Sequence, residues 1–195
     1  MTSASRRQPT TTRWATLGLL LAWSWVVMTV THELGHVVGG WAAGAELAVL
    51  EIRPWHLPHS LFARDPHPLV TLWAGPMVGC GVPLLVALVI RQGAVWFVAW
   101  FCLLANAVYL LLGTFSNDPE LDSQKIIRSG MPSYVILLFA GMIGPVSYVG
   151  FRGRCARLMG GDDQPLTKRT WGIAAATLVV ALILQSIAGS LIIAG

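Results

Sequence analysis

Charged side chains are scarce in this chain of 195 residues: 13 Lys and Arg with 9 Asp and Glu make up only 11% of it. Soluble globular domains carry about 25% charge, so the scarcity excludes an ordinary soluble domain. It also excludes the exposed basic face that a nucleic-acid partner would need. Cysteine is rare too. Cys80, Cys102 and Cys155 show no Cys-x-x-Cys spacing, which excludes a disulfide framework and leaves packing as their role. Polar sequence long enough for a second domain is missing, so one domain is expected over residues 13–195, after a disordered polar tail over 1–12.

What the chain has in quantity is apolar sequence, 55% of its residues. It comes in blocks of about twenty or more, enough to cross a hydrocarbon core of roughly 30 Å. The fold class is therefore an all-α polytopic membrane protein, with spans at about 14–43, 69–90, 94–115, 132–151 and 171–193. The first block is too long for a secretory h-region and has no small-residue cleavage pattern, so it reads as an uncleaved helix. Between the first two spans, Leu47, Val49 and Glu51 alternate with Ala48, Leu50 and Ile52, which predicts a short β-like hairpin. Pro54, Pro58, Pro66 and Pro68 then enforce extended or turning backbone. Small residues at Gly35, Gly39, Gly40 and Gly44 suit close helix approach and place the first helix at the centre of the bundle.

Within that first helix lies His32-Glu33-Leu34-Gly35-His36. Histidines four residues apart share one helix face and can grip one zinc ion. Glu33 stands beside them, where a carboxylate can take a proton from water. Ionisable groups inside a membrane helix are costly and mark function. Two histidines leave a third protein ligand to find. Among carboxylates outside the first helix, Asp118 and Asp122 are best placed, directly after the third span. Asp118-Pro119-Glu120 reads as a helix start with Asp118 at the N-cap, which gives Asp118 a structural role. Asp122 has no such role and is favoured, with Asp118 as the alternative. Asn106, alone in the third span, is expected to bond to a neighbouring helix, as is Gln185 in the fifth. His56, His59 and His67 lie in the Pro-rich loop at a spacing too weak to predict a second metal site. Gly160-Gly161-Asp162-Asp163, in the loop after the fourth span, reads as a solvated turn.

Five spans put Arg6, Arg7, Arg13, Arg91, Arg152, Arg154, Arg157, Lys168 and Arg169 on one side. Only Arg53, Arg64, Lys125 and Arg128 fall on the other. This bias predicts a cytoplasmic N-terminus in a multi-pass protein, with the cell membrane as the expected location. Whatever the sign, the end of the first span and the segment 116–122 emerge on the same side, so the histidines and the aspartate can meet.

These residues together resemble the site-2 protease family of intramembrane zinc metalloproteases. The resemblance rests on His32-Glu33-Leu34-Gly35-His36 in an apolar helix, then Gly44 and the strand-like 46–53, then Ala74-Gly75-Pro76 opening the next span. Leu121-Asp122-Ser123 stands where the family usually has Leu-Asp-Gly. The likeness covers roughly residues 14–125 and suggests a compact member without a PDZ-like or nucleotide-sensing domain. It implies zinc held by His32, His36 and Asp122, with Glu33 as catalytic base. It further implies a membrane-protein substrate, expected to be single-span, cleaved in or near its transmembrane segment. The competing readings are a membrane metal-binding or transport protein using the same ligands, and a catalytically inactive relative.

Overall fold

In the computed structural model the described residues are 10–162, 166–188 and 190–192. The chain is an all-α membrane-type fold with a small antiparallel sheet. Helix α1 runs Thr10–Ala42 and is followed by strands β1 (Glu46–Glu51) and β2 (His59–Arg64). Helices α2 (Pro68–Ile90), α3 (Gly93–Thr114), α4 (Asp122–Arg128), α5 (Ser133–Gly160) and α6 (Lys168–Ala188) come next, and strand β3 (Ser190–Ile192) follows α6. All of these helices except α4 are long and apolar enough to cross a membrane. Large apolar side chains such as Val89, Leu112, Val149 and Ile187 point outward from them, as hydrocarbon-facing residues do. Polar residues occupy the interior instead, among them His32, Glu33, His36, Thr71 and Asn106.

Helix α1 is the hub. It packs on α2, α3, α5, α6 and both strands of the hairpin. Its 33 residues span about 50 Å at 1.5 Å per residue, more than the hydrocarbon thickness, so it tilts or protrudes. The α1–α2 contact is a backbone-to-backbone approach. A Cβ on Gly35 would come within 2.9 Å of the Gly75 Cα, and one on Gly75 would collide with the His36 imidazole. Van der Waals contact of this kind is what holds helices together where lipid is as apolar as leucine.

Gly44, at φ +78°, turns the chain from α1 into β1. The hairpin lies back on α1 through Val37, Leu47 and Leu50, with Phe62 and Ile52 against them. Strand order is β2-β1-β3, both pairings antiparallel, with Val49 opposite Leu61 on one side and Ile192 on the other. Buried Glu51 ends β1 and is gripped by Arg53, whose Nε lies 2.9 and 2.8 Å from its two carboxylate oxygens. Helix α4 is anchored by Ile126, which is fully buried with Leu110 of α3 and Ile136 of α5.

Several boundaries differ from the sequence reading. Thr10–Thr12 are helical rather than tail, because the first turn of α1 is tied to α5 by Arg13 Nη1 donating to the Met159 carbonyl at 2.7 Å. The rest of the expected tail, residues 1–9, lies outside the described residues. Helix α5 continues nine residues past the expected end at 151, to Gly160. Hydropathy falls at Arg152 and Arg154, but a helix leaving the bilayer does not need apolar side chains, and this one stops only at Gly161, φ +91°. The expected turn thus reduces to Gly161 and Asp162, with Asp163 outside the described residues. The last span ends at Ala188 and gives way to β3, which an apolar run conceals; its expected end at 193 is also undescribed. Asp118 does not cap a helix. Its carboxylate accepts the Glu120 N–H at 3.0 Å in a local turn, and α4 begins at Asp122 after the extended Leu121. Gln185 is buried, yet its Oε1 has no hydrogen-bond partner among the described residues.

The Glu51–Arg53 pair sets a pH dependence. Hydrogen bonding from Arg53 pulls the Glu51 carboxyl down to about 2. A depressed carboxyl stabilises the fold fully above its unfolded value near 4.5, and that contribution disappears as pH falls through about 2. A carboxyl-carbon NMR titration is expected to show Glu51 still ionised at about pH 4, and in Arg53→Gln its midpoint moves up toward the ordinary glutamate value.

Candidate metal centre

The helical repeat stacks His32 and His36 one turn apart on the buried face of α1, with ring centroids 4.8 Å apart. Their Nε2 atoms are separated by 3.1 Å. Asp122 Oδ2, from the first residue of α4, lies 3.0 Å from His32 Nε2 and 3.3 Å from His36 Nε2. Among the described residues this is the one group of three His, Cys, Asp or Glu side chains placed to share a metal ion.

The outer nitrogens decide what the inner ones can do. His36 Nδ1 is 2.9 Å from the Thr71 carbonyl, which can only accept, so Nδ1 carries the proton. His32 Nδ1 is 2.6 Å from Asn106 Oδ1. Asn106 Nδ2 donates to the Cys102 carbonyl at 2.8 Å, which fixes the amide so that its oxygen faces the ring. Both imidazoles in their neutral form therefore present a bare lone pair at Nε2, toward each other and toward a carboxylate. Three lone pairs converging on one point repel unless a cation sits between them.

The donor set fits a metal. Bonds of 2.0–2.1 Å in a tetrahedron place ligand atoms about 3.3 Å apart. The observed separations, 3.0, 3.1 and 3.3 Å, are those of three corners with slight contraction. The hydrogen bonds to the outer nitrogens are the outer support that orients metal-binding histidines. His36 also lies flat on Gly75, the only residue type that leaves the ring room there.

Glu33 is buried beside this group, and its Oε2 accepts a hydrogen bond from Ser60 Oγ of β2 at 2.7 Å. Two clefts flank the centre beneath β2. One, about 220 Å³, is lined by Glu33, Ser60, Tyr109, Asp122 and Lys125. The other, about 460 Å³, is lined by His36, Ser60, Thr71, Asp122, Lys125 and Arg128. Both clefts reach the donor group at Asp122, and the larger one reaches His36 as well.

Of the residues the sequence singled out, His32, His36 and Asp122 come together with Glu33 alongside. Asp118 does not join them; its carboxylate is engaged in its own turn. His59 Nδ1 bonds to the Leu57 carbonyl at 3.0 Å, and neither His56 nor His67 belongs to a metal-type group. Four contributors went unrecognised: Thr71, whose part is played by a backbone carbonyl; Ser60; Tyr109, edge-on to His32 at 5.8 Å; and the particular partner of Asn106. Only Asn106 left a trace, as a lone amide in an apolar span.

Metal content measured by mass spectrometry on purified protein is expected to fall with His32→Ala, His36→Ala and Asp122→Asn, and to be unchanged in Asp118→Asn. Chelator competition on Asn106→Ala should show affinity weaker by about 10–100-fold, the usual loss when an outer hydrogen bond to a ligand histidine is removed. Compared with protein-family models, with curated proteins and with solved structures, the chain matches none of them.

Proposed function

We propose that this chain is an intramembrane zinc metalloprotease of the site-2 protease kind, hydrolysing a peptide bond in or near the transmembrane segment of a single-span membrane protein. The observation that carries the reading is Glu33 buried in a water-accessible cleft beside the three converging donors of His32, His36 and Asp122. Zinc held there supplies Lewis acidity, making water nucleophilic near neutral pH and polarising a carbonyl.

The chain's own residues perform the rest. Glu33 takes the proton from the attacking water and delivers it to the leaving amine. Ser60 donates to Glu33 Oε2 and holds that carboxylate in orientation. Asn106 and the Thr71 carbonyl keep the two imidazoles in the tautomer that binds. A substrate helix must unwind to offer its carbonyl, because helical backbone bonds internally. Among the described residues β2 pairs on one side only, with β1, and its Ser60 and Leu61 line both clefts. An unwound segment pairing with that open edge would run past Glu33 and Asp122. By the charge bias the N-terminus is cytoplasmic and the centre lies toward the other face of the cell membrane.

Transport of the same ion would require ionisable groups strung across the bilayer. Helices α2 and α3, which enclose the centre, contain no Asp, Glu, Lys or Arg.

Glu33→Gln removes the base and keeps the shape. In proteoliposomes with a single-span reporter it is expected to lower cleavage by about 10²–10⁴-fold, the usual worth of a general base, while metal content stays at the wild-type level. Cleavage at the wild-type rate in this variant would rule out the proposed chemistry.

A further inference from the structure

The 460 Å³ cleft continues well past the metal centre. From His36 and Asp122 its wall follows α4 through Lys125 to Arg128 and Ser129, and Ser60 of β2, Asp65 and Pro68 belong to the same wall. Asp122 and Arg128 are six residues apart on one helix, about 9 Å at 1.5 Å per residue. An extended chain advances about 3.3 Å per residue, so about three residues of a bound segment reach from the metal centre to Arg128. That end of the cleft lies outside the spans, since Asp65 falls between β2 and α2 and Ser129 between α4 and α5.

The carboxylates of this wall are each engaged. Asp122 belongs to the metal centre. Glu120 Oε2 pairs with Lys125 Nζ at 3.2 Å. Asp65 Oδ1 accepts the His67 N–H at 3.1 Å. One charge is left over. Arg128 is exposed, and among the described residues its guanidinium has neither an ion pair nor a hydrogen bond. A free guanidinium is a planar fork of donors that matches a carboxylate. The smaller cleft, on the Leu57 and Tyr109 side of Asp122, differs in this respect. Its only Lys or Arg is Lys125, which Glu120 already holds.

We infer that Arg128 selects substrates carrying an Asp or Glu about three residues from the scissile bond, on the side of that bond that lies in the larger cleft. The inference rests on the protease reading and narrows it. The substrate is a single-span protein with an acidic residue in the juxtamembrane stretch beside its cleavage point. A carboxylate there completes the pairing of Arg128, whereas a lysine meets like charge.

The test uses the full chain in proteoliposomes and single-span reporters that differ in one residue, Asp, Asn or Lys, moved stepwise through the juxtamembrane stretch. At one position, about three residues from the cut, wild type is expected to cleave the Asp reporter with kcat/KM about tenfold above the Lys reporter. That is the scale of one charge-assisted hydrogen bond. Arg128→Glu should reverse the order and Arg128→Gln should level it. Binding of the same reporters to Glu33→Gln protein in detergent, followed by fluorescence anisotropy, should show the same order without hydrolysis. Wild type that cleaves none of the reporters would defeat the protease reading, while the binding order would still decide the role of Arg128. Equal binding of Asp and Lys reporters at every position, or an Asp preference undiminished in Arg128→Glu, overturns the inference. A preference kept in Arg128→Gln but lost in Lys125→Gln overturns it as well, moving recognition to Lys125.

Discussion

Three electron pairs aimed at one point inside an apolar bundle form an arrangement that needs positive charge to exist. His32 and His36 come from α1 and Asp122 from α4, and each histidine is supported from a different helix, α3 through Asn106 and α2 through Thr71. The centre thus joins four helices at one spot. Without a metal there, a proton on one imidazole has to bridge Nε2 to the Asp122 carboxylate instead. With the metal, the same donors act as a clasp. The geometry of the fold and the chemistry of the site rest on the same atoms.

That dependence explains which parts could be read from the chain alone. The pair at 32 and 36 is legible because the helical repeat brings positions four apart onto one face. Asp122 is legible through topology, since no crossing separates the end of α1 from the start of α2, and the two crossings made by α2 and α3 return the chain to the same side. What the pattern cannot show is contact made by backbone. The Thr71 carbonyl and the flat surface of Gly75 contribute no side chain at all, and both touch His36. Asn106 was visible as an anomaly but not as the partner of His32, because a lone amide in a span carries no direction.

The boundaries that moved did so for a common reason. Apolar periodicity reports where lipid begins and ends, not where backbone hydrogen bonding does. Helix α5 keeps its helical bonds through Arg152, Arg154 and Arg157, beyond the apolar run. At the other extreme, the apolar Leu191 and Ile192 lie in a strand rather than in a continuing helix. The helix start that failed at Asp118 did so because a carboxylate bonding two residues ahead closes a turn, which competes with capping. Asp122 gains by this. It becomes the first residue of α4, held by the buried Ile126 one turn later.

The pairing of β3 with β1 joins parts far apart in sequence. Strand β3 follows α6 with a single residue between them, and β1 lies back on α1 and carries β2 on its far edge. Helix α6 is the span with the smallest share of its surface inside the protein, so its depth answers mainly to the lipid around it. Raising or lowering α6 therefore tugs at the sheet that overhangs Glu33. The lipid-facing α6 and the strand that carries Ser60 beside Glu33 are thereby joined through one short backbone ladder.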